Sequence, residues 1–545
     1  MARRQLSATA VALTAALALA GCSVPDTQQS DGSKADGGTP RAGGTMTVAY
    51  KSDPKTFDPA VCYDATCWNN MRMLYDRLYD YKRDTTEVVP QIAGAAPAVS
   101  ADGRTYTIKL RPGLKFSDGK PLRAQDVAYS FARILDPATK SPVQGFWDGV
   151  DGAAAYAKNP TGLPSGIKVN SETELRITLS RPNSSFTYVL AMPHASVVPE
   201  GSGERLARSP LGSGPFVLKK FTPGQQITLE KNDGYWDRPK PYVDKVVEKL
   251  GIAPEVALLE LQKGGIDLMG DQIPPAQYLS VTRDPALKSQ LVSMAKPSTY
   301  FLTLNTRMKP FDNPKVREAI SYVFDRAFLL KLVNGQGEVA NEFLPPGVLG
   351  HTDEKLTHDQ DIAKAKQLLT EAGYPNGFST TLFTWNTPPW TNLLPQVQQD
   401  LAKAGVKVDP RPIQQSALFD LAATPGKAPM TFSFWVADYP DGSAFFNALT
   451  SCAAAVPGGQ NWSFYCDKDA DALVEKALTS GSKDATAKLY TDTSKKVLGD
   501  NAVVPLYYGS KTELIGKDVG GYFMHPIWAW DMAQYWKKDG AAATS

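Results

Sequence analysis

The residue types that suggest chemistry are concentrated in "TFSFWVADYPDG", residues 431–442. Its two carboxylates, Asp438 and Asp441, could act as paired acids, as a cation site or as turn formers. Tyr439-Pro440-Asp441-Gly442 has the composition of a β-turn: Pro440 presets φ, the Asp441 side chain can bond nearby backbone, and Gly442 suits the exit. Asp441 thus has a local structural reason. Asp438 instead ends a run of β-formers (Thr431, Phe432, Phe434, Trp435, Val436), which predicts a carboxylate at a strand end. Beside Trp435 and Tyr439, it suits a buried ammonium or hydroxyl partner; an N-cap or a solvated loop acid is the bland alternative. As paired acids of a hydrolase the two are poorly placed, because a proline turn separates them.

The remaining inventory argues against catalysis. His194, His351, His358 and His525 are scattered, and His351 and His358 lack a His-Glu-x-x-His core, so both are expected to be solvated on a loop. There is no Gly-x-Ser-x-Gly elbow and no phosphate-cradling Gly-Lys-Ser/Thr loop. "GSGPFVL" (212–218) reads as a turn into a strand. Trp435, Trp462, Tyr507, Tyr508, Trp528 and Trp530 belong by default to cores, although a binding cleft would use the same types. The expectation is a binding protein with no cofactor and no metal.

Arg3 and Arg4 precede an apolar run from Ala8 to Ala20 that is too short for a membrane span. It stops at Leu19-Ala20-Gly21-Cys22, which resembles a bacterial lipobox; the resemblance implies that residues 1–21 are removed and Cys22 carries lipid. An ordinary secretory signal with a chance cysteine is the alternative, and the twin arginines alone do not choose the export route. Residues 22–42 are polar and rich in Gly, Ser, Asp and Pro, the composition of a flexible tether.

The 545 residues carry 58 basic and 56 acidic side chains. Removing the leader takes away two of the basic ones, leaving an electroneutral chain that is no electrostatic nucleic-acid binder. The length predicts more than one core, and nothing after the leader has the apolar length of a membrane helix. Apart from Cys22, the cysteines form two sequence-near pairs, Cys62 with Cys67 and Cys452 with Cys466. In an exported chain these read as disulfides; a four-cysteine zinc site would want Cys-x-x-Cys spacing.

The elements that must position these residues follow from periodicity. Strands are predicted at 45–50, in "RTYTIKLR", in "ELRITLS" and at 299–305, and a helix starts near Ala124. Met71, Leu74, Tyr75 and Leu78 recur with helical spacing, as do Val316, Ile320, Val323 and Phe324 behind Asn313-Pro314. A helix through Ile362, Ala365 and Leu369 stops at Gly373. "TTLFTW", a helix with Leu394, Val397 and Leu401, and "VKV" make a strand–helix–strand unit, so the second half is α/β.

Several ordered motifs then carry a resemblance. "ADGRTYTIKLRPGLKFSDGKPLRAQDVAYSFARILDP" (101–137), "GSGPFVLKKFTPGQQITLEKNDGYW", "FLTLNTRMKPFDNPKVREAISYVFDR" and "VPLYY" with the later "GGY" resemble the family 5 extracellular solute-binding proteins of ABC importers, over residues 43–540. The resemblance implies an α/β fold: a two-lobed, periplasmic-binding-protein-like clamp of type II with an extra inserted domain, its mixed central sheets flanked by helices. Lobe I would take 43–85, 196–296 and 509–545, domain II 86–195 and lobe III 297–508, with the hinge near 297 and 508.

It also implies a role for Asp438, because "WVADYPDG" is similar to the family's Ala-Asp-Tyr motif, whose aspartate pairs with a peptide's α-ammonium. Phe434, Val436 and Ala437 would bond peptide main chain, and Trp435 would line a side-chain pocket. Across the cleft the loop "FDPAVCYDATCWNN" offers Tyr63, Asp64 and Ala65, stiffened by a Cys62–Cys67 pair that the family does not generally have. Tyr507 and Tyr508, at the hinge return, are cleft or core aromatics. The implied function is a lipid-anchored, extracytoplasmic and monomeric receptor that captures oligopeptides or dipeptides and delivers them to ABC permease subunits. The alternative is the same clamp carrying an oligosaccharide, an opine or a metal chelate. No motif marks the residues that would meet a peptide's C-terminal carboxylate.

Overall fold

A computed structural model of the chain describes residues 38–528 and 530–538; the leader, Cys22 and the tether up to residue 37 lie outside them. Among the described residues no helix is long and apolar enough to cross a membrane.

Strand β1 (Thr45–Ala49) alternates so that Met46 and Val48 point into a core. Helix α1 (Ala65–Leu74) begins where the Asp64 carboxylate accepts the Cys67 N–H at 2.9 Å. Tyr75 and Leu78, predicted on this helix, lie beyond its end: Tyr75 is extended, and the Leu74 carbonyl is taken by Gly214 N–H at 3.0 Å. This close crossing explains the glycine-rich "GSG": a Cβ on Gly212 would lie 2.0 Å from the Leu74 oxygen. Leu78 is buried in the neighbouring core instead.

The hairpin β2 (Tyr79–Tyr81) and β3 (Val88–Pro90) leads to β4 (Ala98–Val99), β5 (Thr105–Lys109), β6 (Ile167–Ser171) and β7 (Glu174–Thr178). The last four form an antiparallel sheet ordered β4-β5-β7-β6. Helix α2 (Ala124–Leu135) buries Val127, Phe131 and Ile134 in one core with Ile108, Leu175 and Ile177. Asp126, part of the recognised motif, accepts the Arg123 N–H at 2.8 Å and the Glu200 N–H at 2.9 Å, tying this helix to the returning chain.

That return supplies β8 (Phe216–Thr222), β9 (Gln226–Lys231), β10 (Lys245–Lys249) and β11 (Leu268–Met269), which join β1 in a mixed sheet ordered β11-β1-β10-β9-β8. Next come β12 (Leu291–Leu304), β13 (Gly337–Val339), β14 (Phe378–Trp385), β15 (Val406–Ile413), β16 (Met430–Val436) and β17 (Val503–Leu514). They build the second lobe's sheet, β13-β17-β12-β16-β14-β15. β12 and β17 run antiparallel over their whole lengths, and Leu268 bridges Ile515, so these two long strands join the lobes.

Alternation along β12 feeds two cores. Leu302 and Leu304 pack with Val316, Ile320, Leu393 and Val397 on one face; Phe301 packs with Phe343, Phe445 and Val497 on the other. Helix Pro314–Ser321 starts at Asn313, whose side chain accepts the Lys315 N–H, and helix Ile362–Glu371 is followed by Gly373 at φ +89°. β14 and β15 are parallel about helix Trp390–Lys403, the strand–helix–strand unit expected from the sequence. His351 and His358 are not solvated. His351 is half-buried with Nδ1 2.7 Å from the Leu344 carbonyl oxygen, and His358 stacks on Tyr322 at 4.1 Å, because the loop that carries them folds back over this lobe.

Candidate functional site

Between the two large sheets and the inserted one lies a cavity of about 1720 Å³. Its second-lobe wall is the end of β16. Register with β12 runs from Leu304↔Met430 to Ser298↔Val436, and Ala437 N–H then donates to the Pro297 carbonyl at 2.8 Å. On its other edge β16 meets β14 only at Met430 and Thr431. Among the described residues, Phe434, Trp435 and Val436 therefore carry no partner strand there, and all three line the cavity with Ala437. Trp435 is fixed by its indole N–H on the Ala444 carbonyl at 2.9 Å.

Asp438 follows, buried at 7% exposure and lining the same cavity. It forms no ion pair among the described residues; its side-chain partner is the Tyr63 hydroxyl, which donates to Oδ1 from the opposite wall. Desolvation pushes the Asp438 carboxyl up to about 6, against a smaller downward pull from Tyr63. Asp441 is separated from it. Buried outside the cavity lining, it accepts from Ser443 N–H at 2.9 Å, Ser443 O–H at 2.6 Å and Tyr490 O–H at 2.7 Å. The turn acid and the cavity acid thus face different environments and share no reaction space.

On the first-lobe wall, Tyr63 and Asp64 line the cavity from the loop bracketed by the Cys62–Cys67 disulfide, and Ala65 opens helix α1. Tyr63 packs edge-on against Trp68 at 5.5 Å. Cys62, Asp64 and Cys67 converge closely enough to suggest a metal site, but both sulfurs are consumed by the disulfide. Cys452 and Cys466 are also bonded, with Cα atoms 4.3 Å apart, and their loop carries Trp462 to the cavity.

Two of the expected aromatics are elsewhere. Tyr507 is buried, stacked on Tyr300 at 4.3 Å, and Tyr508 donates to Asn341 Oδ1 at 2.8 Å; neither lines the cavity. The reason is position: at these two residues β17 is an interior strand, paired with β13 on one edge and β12 on the other.

Sequence reasoning missed Lys296, Lys511, Trp68, Trp385, Phe419 and His525, all of which line the cavity. They come from distant segments; Trp68 lies in the loop "FDPAVCYDATCWNN" and Trp385 ends "TTLFTW", but neither is read from the sequence as a cavity residue. His525 is a wall residue held neutral: its Nδ1 accepts the N–H groups of Ile527 and Trp528 at 3.0 Å, and burial drops it to about 3. Among the described residues the arrangement offers a large cavity, an unpartnered strand edge and a buried carboxylate without a cation. Those are the means to hold an extended ligand bearing a positive end.

Comparison with known proteins agrees with this geometry. Residues 87–456 match the family described as bacterial extracellular solute-binding proteins, family 5. The chain is 30% identical to the dipeptide-binding protein of Escherichia coli K12, covering 89% of this chain and 92% of that one. It is also 30% identical to heme-binding protein A of Haemophilus influenzae, over 96% and 97% of the two chains. Among solved structures, a Helicobacter pylori DppA in complex with the peptide STSA is similar with TM-score 0.76 and 28% identity, covering 92% and 99% of the two chains. A clavulanic acid biosynthesis oligopeptide-binding protein shares the fold with TM-score 0.85 at 24% identity, over 91% and 96%. The two-lobed α/β fold, the ordered motifs and the family match lead to one statement: this chain belongs to the family 5 extracellular solute-binding proteins of ABC importers.

Proposed function

We propose that the cavity binds peptides, with Asp438 pairing with the α-ammonium and the free edge of Phe434–Val436 bonding peptide main chain, and that the loaded protein delivers its cargo to an ABC permease. One observation carries the reading: among the described residues, a buried carboxylate with no cationic partner stands at the end of a strand edge that no strand covers. In a water-poor space such a charge favours a cation that brings hydrogen bonds with it. Main-chain bonding tolerates varied side chains, which suits a receptor of broad range. The dipeptide-binding relative and the peptide-loaded Helicobacter neighbour support peptide cargo.

In this reading residues 43–85, 196–296 and 509–545 act as one jaw, 86–195 as an inserted domain and 297–508 as the other jaw. Closure pivots where β12 and β17 cross. Lipid on Cys22 and the tether hold the monomer at the outer face of the membrane, and the protein performs no chemistry on its cargo. A non-peptide solute is the second reading, favoured by the heme-binding relative of equal identity.

A thermal-shift screen of tether-free protein, stripped of ligand by unfolding and refolding, tests the assignment. The panel holds di- to decapeptides with N-acetylated twins, oligosaccharides, heme and a nickel chelate. A ligand at a hundred times its Kd adds about 2.7 kcal/mol of apparent stability. Stabilisation by free peptides alone supports Asp438; equal response to acetylated twins removes that role, and response only to the other solutes removes the peptide cargo.

A further inference from the structure

The cavity does not end at Asp438. At about 1720 Å³ it exceeds the roughly 300–1,000 Å³ of most ligand pockets. It extends between the inserted domain and the second lobe, where Phe146 and Phe186 line it from one side and Ala444, Ala448, Leu449 and Leu478 from the other. A carboxylate and a strand edge make no use of this apolar end.

Local structure sets the two phenylalanines there. After helix α2 the chain makes a single 3-10 turn at Gln144–Phe146, and the next residue, Trp147, is fully buried, 4.4 Å from the Phe131 ring and 5.8 Å from the Phe186 ring. Trp147 anchors the turn and leaves Phe146 half-buried on the cavity. His194 stacks on Phe146 at 5.6 Å, and burial lowers that imidazole to about 3. The ring supporting Phe146 is therefore neutral.

The second lobe meets this wall within a few residues of Asp438. The Tyr439 ring lies 6.2 Å from Phe146 and stacks on Tyr188 at 6.0 Å, and both Tyr439 and Ala444 are buried in the inserted domain's core. Ser184 N–H donates to the Leu478 carbonyl at 2.8 Å, and Ser443 O–H to Ser185 Oγ at 3.4 Å. These bonds hold the inserted domain against the turn that carries Asp438. Arg181 and Asp148 also line the cavity, but both are exposed and Arg181 is paired with Glu475 at 3.2 Å.

Alternation along β16 relates this chamber to a ligand on the strand edge. Phe434 packs with Trp385 and Trp390 on one face; Trp435 leaves the other face, where its indole N–H bonds the Ala444 carbonyl. The apolar chamber thus lies on the Trp435 face and beside Asp438. The side chain nearest an ammonium on Asp438 is the one carried by the same α-carbon.

We propose that the inserted domain is a third wall of the binding site: with the second lobe it forms an apolar subsite for the side chain of the ligand's first residue, and the protein selects peptides that begin with a large apolar residue. This rests on the peptide reading of the cavity. Burial of apolar area is the source of the preference, so it grows with side-chain size and is lost when that side chain carries a charge.

Calorimetry on the refolded, ligand-free full chain tests this with Ala-Ala-Ala, Phe-Ala-Ala, Ala-Phe-Ala, Ala-Ala-Phe and Glu-Ala-Ala. Phe-Ala-Ala is expected to bind about tenfold or more tighter than Ala-Ala-Ala, and Glu-Ala-Ala more weakly than either. Two variants are read by the ratio of affinities for Phe-Ala-Ala and Ala-Ala-Ala. Phe146→Ala removes one wall and should cut the ratio about threefold or more; Ala448→Phe fills the chamber from the opposite side and should bring it to about one. Equal affinity of wild-type protein for Phe-Ala-Ala and Ala-Ala-Ala overturns the subsite without any variant, and so does a preference as large at the second or third position. Folded variants that keep the wild-type ratio overturn the inserted domain's part in it. Peptides that bind through their free amino end without regard to the first side chain overturn only this subsite; absence of all peptide binding overturns the peptide reading and the subsite together.

Discussion

The phenol of Tyr63 donates a hydrogen bond to the carboxylate of Asp438, although the two residues are 375 positions apart in the chain. Tyr63 arrives on a disulfide-bracketed loop that caps helix α1, and Asp438 arrives at the end of β16, pinned through Ala437 to the crossing strand β12. The bond therefore spans the cavity from one lobe to the other. It occupies one carboxylate oxygen and leaves the second as the acceptor for an incoming cation.

Asp438→Asn should weaken binding of free-amine peptides about 10- to 100-fold, the worth of one charge-assisted hydrogen bond at about 1.5–3 kcal/mol. The ligand-free melting temperature should not fall, because the amide still accepts from Tyr63 and the cost of burying a charge disappears. Calorimetry and thermal unfolding of the same preparation check both halves.

Affinity should also depend on pH with a definite sign. The folded-state value of Asp438, about 6, lies above that of an unfolded aspartate. The ligand-free folded state therefore holds this proton more tightly than the unfolded chain. The stability from that proton is fully present below the unfolded value and lost as pH rises through about 6. Binding of an ammonium runs the opposite way, because it needs the ionised carboxylate. Peptide affinity should fall about tenfold per pH unit below about 6. Asp438→Asn should show a flat profile over the same interval.

Tyr63→Phe removes the donor and nothing else of size. Solution scattering of the ligand-free variant should show a larger radius of gyration than wild type, since one cross-cavity bond is lost, while the peptide-loaded forms remain alike. Identical ligand-free dimensions would show that the Tyr63–Asp438 bond does not hold the lobes together.

The two disulfides should separate stability from binding. In the chain-entropy account the longer loop closed by Cys452–Cys466 contributes about 3 kcal/mol and the shorter one closed by Cys62–Cys67 about 2 kcal/mol. Cys452→Ala/Cys466→Ala should therefore lose more in denaturant unfolding. Cys62→Ala/Cys67→Ala should lose less, yet bind free peptides several-fold more weakly, because the loop that presents Tyr63 and Asp64 is no longer bracketed.

Much of this molecule was legible one segment at a time. Alternation located β5, β7 and the end of β16; Asn313-Pro314 and Gly373 marked helix boundaries; and the turn chemistry of Asp441 appears as its bond to Ser443 N–H. The misreadings share a cause. Helical spacing continued through Tyr75 and Leu78, but a tertiary crossing by Gly214 took the Leu74 carbonyl and ended the helix. His351 and His358 were expected in solvent because their loop is polar, yet it folds back onto the second lobe. Tyr507 and Tyr508 stand at the return between lobes, but there β17 is flanked by β13 and β12 and both rings are buried.

By itself the sequence determined the family, the α/β elements and Asp438 as a strand-end carboxylate, because each rests on residues close together along the chain. Only the tertiary structure decided what Asp438 faces and which aromatics reach the cavity. It also decided that Lys296 and Lys511, on the two paired strands that join the lobes, reach the cavity wall. The physical reason is that burial and charge pairing depend on distances between segments hundreds of residues apart, set by strand register and lobe packing rather than by local spacing.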